Sequence, residues 1–227
     1  MLLHIPNVLD ADTLARCTAL LKQADWTDGR VTAGSQAATV KNNLQLPETS
    51  PVALQLRATV LEALSKNAQF FSAALPKRIY PPLFNRYGDQ ANAFGNHVDN
   101  AIRTHPSSAQ HVRTDMSFTL FLNNPGDYEG GELIIEDGMG GRAVKLPAGD
   151  LILYPSYSVH RVEPVTRGAR QACFTWLESM VREPQQRELL YELDMSIVAL
   201  RGEQGDTDTA VRLTSCYHNL MRMWATV

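Results

Sequence analysis

The chain has 227 residues, 44% hydrophobic and 20% charged, with a formal net charge of −3, which suits one enzyme-sized domain with helical additions around a full core. No Lys/Arg-rich run marks a nucleic-acid footprint, and no stretch approaches the ~20 apolar residues that cross a bilayer. Cys17, Cys173 and Cys216 are scattered with no CxxC, so reduced thiols are expected rather than a disulfide framework or zinc site.

The N-terminus, Met1-Leu2-Leu3-His4-Ile5-Pro6, has no basic region followed by a long apolar one, so no secretory signal is read and a cytoplasmic protein is expected. Residues 3–9 read as a short strand feeding a helix. Asp10 or Asp12 caps it, and Leu14, Cys17, Leu20 and Leu21 form its apolar face. Residues 26–39 are polar and Gly-containing, a strand and loop. The segment Lys41-Asn42-Asn43-Leu44-Gln45 has two readings, a polar loop beside a barrel mouth or a substrate contact. Ser50-Pro51 is a strong helix start, with Ser as N-cap and Pro at the first helical position. Val52, Leu56, Val60, Leu61 and Leu64 then give an amphipathic helix to about Phe71 that backs a sheet, with Leu56 and Leu64 as core.

From Arg78 the hydrophobic period changes from the helical one to the alternation of strands. Strands are predicted at 78–87, around His97, and at 114–122, 132–136, 142–145, 150–153, 160–162 and 171–177. Asn124-Pro125-Gly126-Asp127, Asp137-Gly138, Gly140-Gly141 and Pro147-Ala148-Gly149-Asp150 supply turns between them. Short strands at this spacing predict a sandwich or jelly roll of cupin-like architecture. After Arg182 the chain is helical again. Glu183-Pro184 opens one helix carrying Leu189, Leu190, Leu193, Ile197 and Leu200. A polar break at 202–208 precedes a second helix, 209–224, carrying Val211, Leu213, Leu220, Met221 and Trp224. Such a hairpin needs a surface to cover, either the barrel, a twin subunit, or both.

The chemistry centres on His97-Val98-Asp99. Residues two apart project from one face of an extended strand, so an imidazole and a carboxylate can converge on one ion. Two histidines and one carboxylate are the ligand set of non-haem Fe(II) oxygenases, with positions left open for co-substrate and oxygen. His160 is the expected third ligand. His105 and His111 compete for that role, but they lie in a polar loop, 103–113, with Pro106, Ser107 and Ser108, where substrate contact or solvation is the alternative. His4 and His218 read as structural or surface residues. Arg170 opens the alternating run 170–176, where a buried guanidinium needs an anionic partner and suits a carboxylate bidentately. Arg161 and Arg167 are rival cations, the first facing away along its strand and the second in a turn. Tyr87, ten residues before His97, can bond the same anion.

Tyr87, His97-x-Asp99, His160 and Arg170, in that order and spacing, resemble the Fe(II)/2-oxoglutarate dioxygenases of the prolyl-4-hydroxylase type. Gly130-Gly131-Glu132-Leu133, the N-terminal lead-in, which holds Lys41-Asn42-Asn43, and the helical tail resemble more narrowly the bacterial PKHD-type hydroxylases. The catalytic resemblance covers roughly residues 78–178 and the narrower one nearly the whole chain. It implies a double-stranded β-helix with N-terminal helices packed on the sheet and a C-terminal helical hairpin. It also implies a division into a supporting region (1–77), a dioxygenase domain (78–178) and a PKHD-type tail (182–227). His97, Asp99 and His160 would bind Fe(II); Arg170 and Tyr87 would bind 2-oxoglutarate; L-ascorbate would keep the iron reduced. The reaction implied is hydroxylation of a small-molecule or peptidyl substrate with release of succinate and CO2, with a link to iron homeostasis and a homodimer formed through the C-terminal helices. One departure is Phe121, where some relatives carry a tyrosine, and Ser117 or Thr119 is expected to supply the hydroxyl instead. Gly130-Gly131 reads as a turn into a strand whose Leu133 lines the co-substrate pocket. The alternative function is a non-catalytic cupin-like metal or small-molecule sensor.

Overall fold

Asp10, in extended backbone after strand β1 (Leu3–Ile5), accepts a hydrogen bond from the Thr13 N–H and starts helix α1 (Ala11–Lys22). The computed structural model describes residues 1–32, 35–105, 108–138 and 140–227. Beyond α1 come β2 (Thr27–Asp28), α2 (Ser35–Ala38), β3 (Lys41–Asn42) and β4 (Leu44–Gln45), so the region expected as strand and loop also holds a helical turn. Ser50 caps α3 (Pro51–Lys66) through the Ala53 N–H. The helix expected to reach Phe71 stops at Asn67, whose extended backbone breaks it and whose side chain accepts from Phe70 N–H to start α4 (Ala68–Ala74).

The strand expected over 78–87 is two, β5 (Pro76–Ile79) and β6 (Leu83–Tyr87). Both pair with the same neighbour, and Pro81-Pro82, which carry no N–H, fall in the gap between them. Then follow β7 (Ala93–His97), β8 (Ile102–Thr104), β9 (His111–Arg113), β10 (Met116–Phe121), β11 (Tyr128–Gly130), β12 (Leu133–Asp137) and β13 (Gly140–Val144). The last strands are β14 (Leu151–Pro155), β15 (His160–Val162), β16 (Val165–Gly168) and β17 (Arg170–Ser179). The segment expected as a polar loop at 103–113 is mostly the β8–β9 hairpin, with Thr104 opposite His111; Pro106 and Ser107 lie outside the described residues. Arg167 and Gly168, expected in a turn, sit in β16, which pairs with β11.

All pairings are antiparallel. One sheet runs β1-β14-β10-β17-β6-β4-β2 with β5 alongside β17, and the second runs β13-β12-β15-β7-β3. Alternation along β14 assigns its two faces. Leu151 and Leu153 pack against the helices with Cys17, Leu21, Leu56, Val60 and Phe70. Ile152 and Tyr154 face the second sheet, packing with Leu133, Ile135, Val144 and Val162. The result is a jelly roll, with α1, α3 and α4 covering the outer face of the larger sheet. Each fully buried Leu or Phe in these clusters contributes ~1.5–3 kcal/mol.

The C-terminal hairpin, α5 (Pro184–Gln204) and α6 (Asp208–Trp224), has a partner within its own chain. Leu190, Ile197 and Tyr217 bury against Leu75 and Val181. Gln69 Nε2 donates to Tyr191 Oη at 3.0 Å and Ser72 Oγ to Asp194 Oδ2 at 2.5 Å, tying α4 to α5. Leu189 and Val211, expected in the packed set, are exposed instead. No helix among the described residues is long and apolar enough to cross a membrane.

Candidate active site

Pairing of β7 with β15 sets His97 directly opposite His160, with ring centroids 4.1 Å apart. Each imidazole has Nδ1 on a backbone carbonyl, His97 on Gly95 at 2.8 Å and His160 on Ser158 at 3.0 Å. A carbonyl only accepts, so the proton resides on Nδ1 and the Nε2 lone pair is left to face an ion. Asp99 lies just beyond the end of β7. Its Oδ2 is 3.8 Å from His160 Nε2 and accepts from Ser117 Oγ at 2.7 Å, while Ser117 Oγ is also 2.7 Å from Ser156 Oγ. One ligand atom from each of His97, Asp99 and His160 lies within 4.8 Å of the others. Burial, and then the neighbouring His160, hold the His97 pKa well below its ordinary value, which keeps it in the neutral form that metals require.

Arg170 heads β17 and is 1% exposed. The Tyr87 ring lies 5.4 Å and the Phe121 ring 5.2 Å from its guanidinium carbon, and β6–β17 register sets Tyr87 opposite it. Its Nε has no hydrogen-bond partner, and it makes no ion pair among the described residues. A buried cation in that condition costs several kcal/mol unless an anion joins it. Gly131 makes the space: its φ is +68°, and a Cβ there would come within 3.2 Å of Arg170 Cδ and 2.8 Å of Val165 Cγ2. Burial pushes the Tyr87 phenol up to about 12, so it is a neutral donor. Its neighbour Asn43 eases ionisation slightly, yet neither amide atom of Asn43 meets a partner in hydrogen-bonding geometry.

Tyr87, His97, Asp99, His160 and Arg170 line one pocket, which Leu133 also lines. His105 and His111 do not; His105 faces the Tyr80 ring at 6.4 Å and His111 Nδ1 meets Thr104 Oγ1 at 3.3 Å. Arg161 and Arg167 are tied outside the pocket to Glu163 and Glu129 at 2.6 and 2.8 Å. His4 is bonded to Asp150 at 2.8 Å, and His218 sits beside Tyr217 on α6.

The two hydroxyls expected for the co-substrate, Ser117 and Thr119, both line the pocket, and Ser117 donates to Asp99. A second tyrosine does reach the pocket, Tyr154, 5.2 Å from the His160 ring. Burial first, then the Asp99 carboxylate, raise its pKa, while contact with the Thr119 side chain lowers it. Extending the β14 alternation by one period puts Tyr154 on the Ile152 face, which is the signal that could have found it.

The donors present, two imidazoles that each turn Nδ1 to a carbonyl and a carboxylate, suit Fe(II), and the orphaned Arg170 Nε suits a carboxylate of 2-oxoglutarate. Comparison with known proteins agrees. Residues 82–178 match the 2OG-Fe(II) oxygenase superfamily and residues 185–226 the PKHD-type hydroxylase C-terminal domain. A PKHD-type hydroxylase of Nitrosomonas eutropha is 56% identical over 225 residues, 99% of each chain. One of Xanthomonas axonopodis pv. citri is 56% identical over 229 residues, covering all of both chains. Among solved structures, a Pseudomonas putida prolyl-4-hydroxylase superposes with a TM-score of 0.50 at 21% identity, covering 78% of this chain and 92% of that one. A Trichoplax adhaerens prolyl hydroxylase gives 0.53 at 17%, covering 83% and 86%. These two share the fold.

Proposed function

The chain belongs to the PKHD-type hydroxylases of the 2OG-Fe(II) oxygenase superfamily, and from that premise we propose that His97, Asp99 and His160 hold one Fe(II) ion while Arg170 and Tyr87 hold 2-oxoglutarate. The observation that carries this reading is the convergence of three ligand atoms within 4.8 Å in the same pocket as a buried guanidinium without an anion. With iron and 2-oxoglutarate bound, the chemistry supplied would be a four-electron reduction of dioxygen, one oxygen atom going to a substrate C–H to give C–OH and the other to 2-oxoglutarate to give succinate with loss of CO2.

The chain's own groups do the rest. Gly95 and Ser158 carbonyls fix the imidazole tautomers, and Ser117 orients Asp99. Arg170 neutralises the far carboxylate of the co-substrate, and Tyr87 donates to it as a neutral phenol. Tyr154, Phe121 and Leu133 exclude water around them, which strengthens each charge interaction.

The finer parts of the proposal are a small-molecule or peptidyl substrate, a cytoplasmic location, ascorbate as the reductant that keeps iron ferrous, and a place in iron homeostasis. Residues 1–77 support the dioxygenase domain, 78–178, and residues 182–227 form the tail. Exposed Leu189, Val198 and Val211 on the hairpin support pairing of two copies there, which light scattering tests.

Anaerobic titration of apo-protein with Fe(II) and then 2-oxoglutarate tests the central reading. A visible metal-to-ligand charge-transfer band is expected in the wild type and lost in His160→Ala, which should no longer retain iron. Iron binding without the band, or an unchanged band in His160→Ala, refutes it. Under air, release of succinate separates an enzyme from a sensor.

A further inference from the structure

The short strands β3 and β4 bridge the two sheets, β3 pairing with β7 and β4 with β6. Two asparagines at this bridge sit in opposite conditions. Asn42 is exposed and donates its amide to the Gln90 carbonyl at 2.7 Å. Asn43 is 2% exposed, and neither its Nδ2 nor its Oδ1 has a hydrogen-bond partner. A buried amide left unbonded at both ends is costly until a group that can bond it arrives.

Strand register shows what stands beside it. In the β4–β6 pairing Leu44 is opposite Arg86 and Gln45 opposite Asn85, so one step back Asn43 comes opposite Tyr87. Tyr87 is in turn opposite Arg170 on β17. On the other flank Asp28 pairs with Leu44, and the next residue, Gly29, donates its N–H to the Asn43 carbonyl at 2.9 Å. One row across the sheet therefore reads Gly29, Asn43, Tyr87, Arg170. The last three are buried and line the pocket that holds the triad. A Cβ at Gly29 would stand 1.9 Å from Asn43 Oδ1, so it is the glycine that lets the amide lie there. With Oδ1 turned to Gly29, Nδ2 and its two N–H donors are left for the pocket. Neighbouring strands lie ~4.8 Å apart. A carboxylate over Tyr87, the middle of the three pocket residues, is then within reach of the guanidinium from one side and the amide from the other.

We propose that Asn43 is a third arm of the co-substrate site, donating through Nδ2 to the far carboxylate of 2-oxoglutarate beside Tyr87 and Arg170. The amide adds a donor without adding a second positive charge, so it selects for the placement of the carboxylate as well as for its charge. This inference rests on the reading of the pocket as an iron and 2-oxoglutarate site.

The test compares two 2-oxo acids that chelate iron through the same end. They are 2-oxoglutarate and 2-oxopentanoate, which carries a methyl group in place of the far carboxylate. Each is titrated into anaerobic Fe(II)-loaded protein and followed by the charge-transfer band. Asn43→Ala should weaken 2-oxoglutarate roughly 10- to 150-fold, as expected for one hydrogen bond to a charged group, and leave 2-oxopentanoate within about twofold of wild type. Gly29→Ala, which displaces the amide without removing it, should give the same selective loss, so the proposal stays testable should Asn43→Ala not fold. An equal loss of both acids makes Asn43 a structural residue and overturns the proposal, as does an unchanged affinity for 2-oxoglutarate. The wild-type band with 2-oxoglutarate separates the two failures: its presence leaves the hydroxylase reading standing, and its absence removes both.

Discussion

Replacing Arg170 with methionine separates a co-substrate cation from a structural one, because the two roles predict opposite signs. Methionine keeps the apolar stem that fills the space beside Tyr87 and Phe121 but removes the charge. In the protein without 2-oxoglutarate, the guanidinium is 1% exposed with an unbonded Nε and no ion pair among the described residues. Removing it should therefore leave stability unchanged or raise it, by up to about 1–4 kcal/mol. The 2-oxoglutarate complex should respond in the other direction. Truncating one member of a buried charge pair costs about 2–5 kcal/mol, so the dissociation constant should rise roughly 30- to 4,000-fold. Thermal unfolding with and without co-substrate, in the presence of a redox-inert divalent metal, reads both effects. At about a hundred times its dissociation constant, 2-oxoglutarate adds ~2.7 kcal/mol to the wild type, roughly 5–11 °C for a chain of this size. The variant should show almost none of that shift. An Arg170→Met protein that melts several degrees lower alone, yet shifts as much as wild type with 2-oxoglutarate, would refute the reasoning and make Arg170 a packing residue.

Ser117→Ala removes the hydroxyl that bonds Asp99 Oδ2 at 2.7 Å and should weaken metal affinity by about 10- to 100-fold, measured by competition with a chelator; an unchanged affinity would mean that Asp99 needs no orienting group. Gly131→Ala forces a Cβ onto a φ of +68° against Val165 and Arg170. It should lower stability by ~1–3 kcal/mol and weaken 2-oxoglutarate binding as well, and a change in stability alone would detach the glycine from the cation. Burial of Lys41 lowers its pKa to about 8, against ~10.4 in an unfolded chain. Between those values the unfolded state binds the extra proton, so stability should rise with pH across that window, by at most ~1.4 kcal/mol per pH unit. Denaturant titrations of wild type and Lys41→Met from pH 7 to about 10.5 should differ in slope there. Parallel curves would show that Lys41 keeps its proton.

The sequence by itself determined the family-level chemistry and the outline of the fold. The donor types that suit iron(II) lie close together or at strand starts: His97-x-Asp99 spans three residues at the end of β7, and His160 heads a strand, as Arg170 does. Helix starts at Asp10, Ser50 and Pro184 were equally legible, since capping and the missing proline N–H act within a few residues. Tertiary structure decided which groups meet across the sheets. Ser117 reaches Asp99 only because their segments, eighteen residues apart, fold against one another. Tyr154 enters the pocket because its strand pairs with β10 in one register and not the next. Lys41 and Asn43 look like a polar loop until β3 and β4 are seen to bridge two sheets, after which period-two alternation sends both inward. The Pro81-Pro82 break and the end of α3 at Asn67 lay between, visible as residues but ambiguous as signals. Local rules act over three or four residues, whereas register is set by the burial of whole faces, and that requires knowing which strand lies beside which.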